Sequence, residues 1–348
     1  MSESLSYEKA GVNIDVADAT KKAMASSLEG NDPRVLNKLG AFASLVDGKF
    51  AGIADPVLVL KTEEPGSKQK LAFQHGRISS ICYDLINHLI DDILVMGAEP
   101  LYVQDCIVCG KLESEVVKEL VASMAAACRA QGCSLVGGET SEQPGVIEPG
   151  TYILSASIVG VVERSRILDG SRIAEGDVVL AAPSSGLHTN GYSLVRALMR
   201  EKPEILNVTV DGESFLDAIM RPHRCYNNEF RPLFDNPGLH GIAHITGGGI
   251  EGNLNRILPP GLDAVIDRSQ LRVPAIFRTI HKWGNVPEAD MLRTFNMGVG
   301  MTLVCAPDAV EAISRHLAGN DCPAYPIGTI VPGSGRVKYG GGALDLSL

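Results

Sequence analysis

Cys133-Ser-Leu-Val-Gly-Gly-Glu-Thr-Ser-Glu-Gln-Pro-Gly145 decides the fold, because a short apolar strand runs into two glycines and then into an acid beside a hydroxyl. Glycine lets a backbone approach a ligand closely, and ligands of open α/β sheets bind beyond the carboxyl ends of strands. The pattern predicts that the strand ends before Glu139, where a carboxylate can hold a metal ion that carries phosphate. A turn with a solvated glutamate is the alternative.

The segments before and after this stretch extend it into a sheet with a crossover helix. Alternating apolar residues predict a strand over Leu101–Val108, and apolar residues at helical intervals predict a helix over Glu113–Ala130. Together with the strand Ser134–Val136 they form a βαβ-like unit that ends at Glu139. Another strand, Thr151–Val162, completes a first α/β domain.

A predicted helix before these strands contains acidic residues that we expect to be at least partly buried. The segment Asp84–Met96 is apolar around almost its whole circumference, which predicts a buried helix that ends at Gly97. Asp92 shares a face of this helix with Leu85. Because an unpaired buried carboxylate is costly, we expect Asp92 to be paired, protonated or bound to a metal ion. Pairing with His88 or a lysine is the alternative to a metal.

A third acid, Asp105, points to one face of the strand Leu101–Val108. Carboxylate oxygens are the protein ligands that Mg²⁺ prefers. Asp92, Asp105 and Glu139 therefore form a candidate acidic cluster for magnesium and a nucleoside triphosphate.

The strand Asp55–Leu60 leads into a segment with one glycine, one hydroxyl next to it, and lysines at 61, 68 and 70. This segment is similar to a phosphate loop only in outline, since it lacks the spacing of a Walker motif. A solvated turn is the alternative.

A second unit begins near Arg166 and repeats the arrangement of strand, loop and helix. The strand Gly176–Ala182 ends in a loop with His188 and Asn190, which can face a cleft, although a loop histidine is often merely exposed. The strand His240–Thr246 leads into three glycines and a helix over Ile250–Ile257. Glycines before a helix can direct amide N–H groups at an anion, or they can form a tight connection.

The length, charge and hydropathy of the chain argue against several classes of function. A chain of 348 residues favours two domains, and a net charge of -10 argues against a nucleic acid as the main partner. The longest apolar stretch is too short and too polar for a bilayer, and the start lacks the pattern of a signal peptide, so we expect a cytoplasmic protein. The eight cysteines have no framework spacing. A zinc site built on Cys106, Cys109, Cys128 and Cys133 is a weak alternative.

Seven motifs that span almost the whole chain resemble, in order, one family. They are Ser6-Tyr-x-x-Ala-Gly-Val12, Gly97-Ala-Glu-Pro100, Gly110-Lys-Leu112, Ser134-Leu-Val-Gly-Gly-Glu-Thr140, Gly186-Leu-His-Thr-Asn-Gly-Tyr-Ser-Leu-Val-Arg196, His244-Ile-Thr-Gly-Gly-Gly249 and Arg293-Thr-Phe-Asn-Met-Gly-Val-Gly-Met301. This set resembles the phosphoribosylformylglycinamidine cyclo-ligase family, also called aminoimidazole ribonucleotide synthetases.

The resemblance implies a two-domain α/β fold with mixed sheets. An N-terminal domain, 1–165, would bind nucleotide and pair across a homodimer into a barrel-like sheet, and a C-terminal domain, 166–348, would complete the substrate cleft. The implied activity is the ATP- and Mg²⁺-dependent closure of the imidazole ring in purine synthesis, with a ribonucleotide as the substrate.

Residue roles also follow from the resemblance. Catalysis would involve Lys68, His188, Asn190 and His244. ATP would meet Glu63, Gly66, Ser67, Lys68, Asp92, Gly138, Glu139 and Thr140. The ribonucleotide would meet Ser185, Gly186, Thr189, Thr246, Gly247, Gly248 and Gly249, and Mg²⁺ would be held by Asp92, Asp105 and Glu139.

The chain departs from the family pattern in its nucleotide loops. Glu63-Glu-Pro-Gly-Ser-Lys68 stands where the family shows Asp-Gly-Val-Gly-Thr-Lys, and Pro65 removes an N–H donor. The segment Asn37–Phe42 has lost glycines, and Ile78–Cys82 replaces a His-Asp-Thr-Ile-Gly run. These departures leave two other hypotheses open, a kinase-like relative of the thiamine-phosphate kinase type and a catalytically silent homologue that binds a ribonucleotide.

Overall fold

The computed structural model describes residues 16, 18–20, 22–24, 32–37 and 43–347. The motif at 6–12 and the segment 38–42 lie outside the described residues. The chain divides into two compact units. Unit 1 comprises the chain up to Ile90 and Glu99–Glu163, and unit 2 comprises Asp91–Ala98 and the chain from Arg164.

Among its described residues, unit 1 contains one four-stranded mixed sheet, three helices with defined bounds and helical residues at 16, 18–20 and 22–24. Its strands and helices are β1 (Pro56–Glu63), α1 (Lys68–Gln74), α2 (Ile78–Leu94, whose last turn belongs to unit 2), β2 (Glu99–Cys109), α3 (Ser114–Ala130), β3 (Ser134–Glu142) and β4 (Tyr152–Glu163). The strand order is β1-β4-β2-β3. β2 and β3 are parallel, as a crossover through α3 requires, and the other pairs are antiparallel.

The decisive stretch differs from its prediction in one respect. β3 does not end before Glu139 but continues to Glu142, and Glu139 pairs with Cys106 of β2. The two glycines do not break the strand because β2 offers a partner along the whole length, and Gly138 lies opposite Asp105. A β-carbon at Gly138 would lie 2.2 Å from Asp105 Oδ1, so the glycine makes room for the acid.

Helix α2 confirms the predicted buried helix, although it begins at Ile78 rather than Asp84. Its first turn was missed because Ser79 and Ser80 carry no apolar periodicity. Gly97, with φ +77°, follows the helix end, and a β-carbon there would lie 2.9 Å from the carbonyl oxygen of Arg166. The glycine is therefore required by both its backbone angle and its surroundings.

A buried ion pair joins α1 to α2. Lys68 begins α1, and its Nζ lies 2.8 Å from both carboxylate oxygens of Asp84. Both side chains are fully buried, and burial lowers the pKa of Lys68. The prediction of a solvated turn is therefore wrong for Lys68, because the interior needs its charge to compensate Asp84.

Unit 2 contains a six-stranded sheet, a short hairpin and seven helices among its described residues. Its elements are β5 (Val178–Pro183), α4 (Tyr192–Glu201), β6 (Thr209–Val210), β7 (Glu213–Ser214), α5 (Phe215–Met220), α6 (Asn227–Phe230), β8 (Leu239–His244), α7 (Gly249–Leu254), β9 (Leu262–Asp267), α8 (Ala275–Gly284), α9 (Glu288–Thr294), β10 (Val299–Cys305), α10 (Val310–Gly319), β11 (Tyr325–Pro332) and β12 (Val337–Gly340). The sheet order is β12-β9-β11-β5-β10-β8.

The centre of this sheet positions two loops side by side. β10 is buried along its whole length and pairs antiparallel with β5 on one side and with β8 on the other. β5 and β8 therefore run in the same direction and end at the same edge, where Met301 pairs with both Ala182 and His244. The loops after β5 and β8 leave from this edge.

The two mixed sheets confirm the predicted α/β class. Within the described ranges, no helix is both long and apolar enough to cross a bilayer.

The ion pair Lys68–Asp84 generates a prediction about stability. Replacing Lys68 by Met leaves a buried carboxylate without its cation, so we expect Lys68→Met to lose about 3–5 kcal/mol of unfolding free energy. Urea unfolding followed by far-ultraviolet circular dichroism measures the loss.

Two variants complete this experiment. The double variant Lys68→Met/Asp84→Leu removes both charges and should recover most of the stability. The exposed pair Lys118–Glu115 provides the control, since Lys118→Met should change stability by less than about 1 kcal/mol. Equal stability of Lys68→Met and the unmodified protein would show that the pair contributes nothing.

Candidate active site

Three buried histidines of unit 2 lie together at the edge where β5 and β8 end. His188, His223 and His244 are 1%, 1% and 6% exposed. The rings of His188 and His223 stack, with centroids 3.9 Å apart, and His223 Nε2 lies 3.1 Å from His244 Nε2. We call these three residues the histidine cluster.

Two carboxylates from the last turn of α2 hold the histidine cluster. His244 Nδ1 lies 2.8 Å from Asp92 Oδ1, and His223 Nε2 lies 3.4 Å from Asp91 Oδ2. Because a carboxylate only accepts, the contact with Asp92 places a proton on His244 Nδ1. In a neutral imidazole the lone pair of Nε2 would then face His223. His223 is then the donor in the contact between the two rings.

Asp91 connects this cluster to the backbone. It is fully buried, and its Oδ1 accepts a hydrogen bond of 2.9 Å from the N–H of Tyr226. Burial raises the pKa of Asp91 well above its usual range, although the Tyr226 N–H opposes this effect. The hydroxyl of Tyr226 donates to the carbonyl of Pro183, at the end of β5.

The loop after β5 holds His188 in an uncommon conformation. Its φ is +59°, and its Nε2 accepts a hydrogen bond of 3.2 Å from the N–H of Ser185. Asn296 fixes the loop, since its Nδ2 donates to the carbonyl of Gly186. A β-carbon at Gly300 would lie 1.8 Å from the Tyr226 hydroxyl and 3.0 Å from His188 Cε1. Tight packing thus maintains a left-handed residue that is costly elsewhere.

The loop after β8 lies beside the first loop. A β-carbon at Gly247 would lie 3.2 Å from Asn190 Oδ1, so the two loops meet within unit 2. Asn253 organises the second loop, because its Nδ2 donates to the carbonyls of Gly247 and Gly249. Its Oδ1 accepts from the hydroxyl of Thr246.

Two of the three amides in the glycine run are bonded within unit 2, which favours the alternative of a tight connection. The N–H of Gly248 donates to Arg293 O at 3.0 Å, and that of Gly249 donates to Thr246 O at 3.1 Å. The helix that follows has only six residues. A β-carbon at Gly249 would lie 1.9 Å from Leu292 O, so the glycine here serves a tight connection.

The acids of unit 1 form a separate pair. Asp105 is buried on β2, and burial, together with the smaller effect of the charge of Glu139, raises its pKa to about 7. Glu139 is exposed on the neighbouring β3. Of the three acids expected to form one cluster, these two influence each other within unit 1, whereas Asp92 belongs to unit 2 and contacts His244.

The remaining predicted nucleotide residues lie near the start of α1 and on β3. Glu63 ends β1 and is held by Lys61 at 3.2 Å. Gly66 has φ +61° and precedes Ser67, the residue before α1. Thr140 pairs with Ile107 in the sheet. Ser185 and Thr189 lie in the loop after β5, where the Ser185 hydroxyl donates to Pro222 O.

The cysteines do not form the alternative zinc site. All eight are free thiols, and Cys106 and Cys109 lie three residues apart on β2, so their side chains point to opposite faces. Burial raises the pKa of Cys109 to about 11, which keeps it protonated. Among the residues that the structure describes, no cysteine belongs to a group of three close metal-ligating side chains.

Sequence reasoning missed several residues of this site. His223, Asp91, Asn253 and Asn296 were not candidates. Asp91 could have been found, because it follows the same argument as its neighbour Asp92. His223 gave no signal, since it contacts residues 132 and 21 positions away, Asp91 and His244.

Comparisons with known proteins agree with this architecture. The N-terminal domain model of AIR synthase related protein matches residues 50–162, and the C-terminal domain model matches residues 174–340. A phosphoribosylformylglycinamidine cyclo-ligase of Desulfitobacterium hafniense is 41% identical over 337 residues, which are 96% of this chain and 99% of that relative.

Solved structures share the fold at low identity. Thiamine-monophosphate kinase from Stenotrophomonas maltophilia K279a has a TM-score of 0.65, is 18% identical, and is matched over 95% of this chain and 97% of that one. E. coli HypE has a TM-score of 0.69 at 18% identity and the same coverage.

The raised pKa of Asp105 generates a prediction about stability and pH. The folded protein keeps this proton up to about pH 7, whereas the unfolded chain releases it near 3.8. Between these values the folded state binds more protons, so the free energy of unfolding falls as pH rises, by up to about 4 kcal/mol. We therefore expect Asp105→Asn to melt above the unmodified protein at pH 8.

Calorimetry in a chelating buffer at pH 5, 6.5 and 8 measures this difference, which should shrink towards pH 5. Glu148→Gln, at an exposed position of unit 1, is the control and should melt with the unmodified protein at every pH. A difference that does not change with pH would contradict the assignment of the titration to Asp105.

Proposed function

The chain belongs to the phosphoribosylformylglycinamidine cyclo-ligase family, and we propose that it closes the imidazole ring of aminoimidazole ribonucleotide in purine synthesis. ATP phosphorylates the formamide oxygen of formylglycinamidine ribonucleotide, an amidine nitrogen attacks the activated carbon, and phosphate leaves. The observation that carries the proposal is 41% identity to a relative of that name over 96% of this chain.

Unit 1 supplies the nucleotide chemistry in this proposal. Asp105 and Glu139 offer carboxylate oxygens, and Mg²⁺ is commonly held by one or two carboxylates together with phosphates and water. These two acids fit a Mg²⁺ ion, because burial disfavours the charged form of Asp105 and a cation beside it would stabilise that form. Bound Mg²⁺ would neutralise charge on the transferring phosphoryl group. Gly138 leaves space beside Asp105, and Gly66, Ser67 and Thr140 are assigned to nucleotide contacts.

Two expected nucleotide residues receive other roles. Lys68 stabilises unit 1 through Asp84, so we do not assign it to phosphate. Asp92 orients His244, so we assign it to that histidine rather than to Mg²⁺.

Unit 2 supplies the groups that hold and deprotonate the ribonucleotide in this proposal. The amidine nitrogen loses a proton as it bonds to carbon, and an imidazole is a suitable acceptor near neutral pH. His188 and His244 are the candidates. Asn190 and Thr246, with Ser185 and Thr189, offer hydrogen bonds to the substrate from the two adjoining loops.

Turnover with defined variants tests the assignment. We measure ADP release and imidazole product with ATP, Mg²⁺ and formylglycinamidine ribonucleotide. Asp105→Asn and Glu139→Gln should lose Mg²⁺-dependent turnover while still binding the ribonucleotide. His188→Ala should lower kcat by about 10²–10⁴-fold, the usual contribution of acid–base catalysis. The control Glu148→Gln should keep full turnover.

The same assay separates the other hypotheses. ADP release that depends on thiamine phosphate instead of the ribonucleotide would identify the kinase-like relative. Ribonucleotide binding without any ADP release would identify the silent homologue.

We further propose that unit 1 forms a homodimer through one face of its sheet. Leu58, Leu60 and Ile153 are 55%, 70% and 42% exposed. The pairing of Leu58 with Val161 and of Leu60 with Val159 puts these leucines on one face, and Ile153 lies on the same face of β4. Exposed apolar residues on one sheet face favour burial against a partner. Two such sheets would make the barrel-like dimer.

Sedimentation of two variants tests the dimer. Leu60→Asp puts a charge in the proposed interface and should shift the protein to monomer at micromolar concentration. Val146→Asp is the matched control, because Val146 is 79% exposed in a loop outside the sheet, and it should leave the dimer intact. A Leu60→Asp protein that sediments as the unmodified one would exclude this face.

A further inference from the structure

His223 belongs to the histidine cluster, but the proposed mechanism gives it no role. Its ring stacks on that of His188, with centroids 3.9 Å apart and 24° between the ring planes. Its Nε2 lies 3.1 Å from Nε2 of His244. The side chain of His223 is fully buried, so it exposes no surface to a bound substrate. Any effect of His223 on the reaction must therefore pass through the side chains beside it.

His244 is the better placed of the two candidate bases. Asp92 Oδ1 lies 2.8 Å from its Nδ1, and a carboxylate in that position stabilises the imidazolium that forms when Nε2 takes a proton. His188 Nε2 instead accepts from the backbone N–H of Ser185, which opposes a proton on that nitrogen. His244 is also the more exposed of the two, at 6% against 1%.

The nitrogen of His244 that would take the proton faces His223. In the neutral ring, Nδ1 carries the proton that contacts Asp92, so Nε2 is an acceptor. A hydrogen bond between two ring nitrogens needs one proton between them, and His223 Nε2 must supply it. The N–H of His223 therefore holds His244 in the tautomer whose Nε2 lone pair can accept a proton.

Asp91 offers the same N–H a second acceptor. Its Oδ2 lies 3.4 Å from His223 Nε2, and its Oδ1 accepts from the N–H of Tyr226 at 2.9 Å. When His244 Nε2 takes a proton, two N–H groups face each other, and a hydrogen bond from His223 to Asp91 relieves this conflict. Contacts on both sides of His223, at Pro222 O and at the N–H of Tyr226, keep the segment in place during this exchange.

We propose that His223 is a positioning residue for the ring closure. Its N–H holds the Nε2 lone pair of His244 until the amidine nitrogen gives up its proton, and it turns to Asp91 once His244 has taken that proton. The amidine nitrogen keeps the electron pair that forms the new C–N bond, and His223 neither gains nor loses a proton. This role rests on the proposed function, but its hydrogen bonds can be measured without turnover.

Nitrogen NMR of the full-length protein, labelled with ¹⁵N-histidine, tests these hydrogen bonds at pH 8, where a free imidazole is neutral. We expect the proton of His244 on Nδ1 and that of His223 on Nε2. Asp91→Asn puts an amide NH₂ group opposite His223 Nε2, because the N–H of Tyr226 retains the amide oxygen, so the proton of His223 should move to Nδ1. A His223 that carries its proton on Nδ1 in the unmodified protein would overturn the proposal.

Steady-state kinetics of three variants test the effect on the reaction. His223→Phe keeps a ring against His188 but removes the N–H, so kcat should fall by about 10–100-fold while KM for the ribonucleotide stays nearly unchanged. His223→Gln returns a side-chain N–H without the ring and should recover part of kcat. His281→Gln changes a histidine of α8 outside the cluster and is the control that should keep full turnover.

The results distinguish failure of this role from failure of the proposed function. An unmodified protein without turnover on the ribonucleotide would refute the function, and the NMR result would then decide the hydrogen bonds of His223 by itself. With normal turnover of the unmodified protein, an unchanged kcat in His223→Phe, or a lower kcat in His223→Gln than in His223→Phe, would overturn the positioning role. A loss of kcat that accompanies a raised KM and a lowered melting temperature would show a purely structural residue instead.

Discussion

The burial of Asp91, beside the partly buried Asp92, at the end of helix α2 is the constraint on which the site of unit 2 depends. Asp91 has no access to solvent, so its oxygens must meet donors from the protein. The N–H of Tyr226 supplies one, and this contact fixes the segment that carries His223. Asp92 in turn fixes His244. The two imidazoles meet because their partners are neighbours on one helix.

The sheet of unit 2 brings the same groups together by topology. β10 between β5 and β8 makes two loops leave from one edge, and Gly300 of β10 leaves room for the Tyr226 hydroxyl and the His188 ring. The left-handed conformation of His188 persists because Asn296 and Ser185 hold the loop from two sides. Such strain is tolerated where the surroundings over-determine it, as they do in functional sites.

Sequence patterns predicted the helices and strands of this molecule better than they predicted which residues its charged side chains contact. Continuous apolar faces were sufficient to predict α2 and the mixed α/β class, because the residues that a whole helix or strand buries leave a periodic pattern in the sequence. The predicted end of β3 was wrong because β2 pairs with the strand through both glycines and on to Glu142. Lys68 was assigned to a solvated or phosphate loop because its partner Asp84 lies 16 positions away on another helix. His223 could not be predicted because the pattern around it has no periodicity.

The charged groups of the two units differ in chemistry as well as in sequence. Unit 1 presents oxygen donors, a buried Asp105 and an exposed Glu139, on parallel neighbouring strands. Unit 2 presents imidazole nitrogens that contact carboxylates. His244 Nδ1 contacts Asp92, and His223 Nε2 lies near Asp91. Hard cations that carry phosphate prefer the oxygen donors of the first set, whereas imidazoles such as those of the second set suit proton transfer near neutral pH.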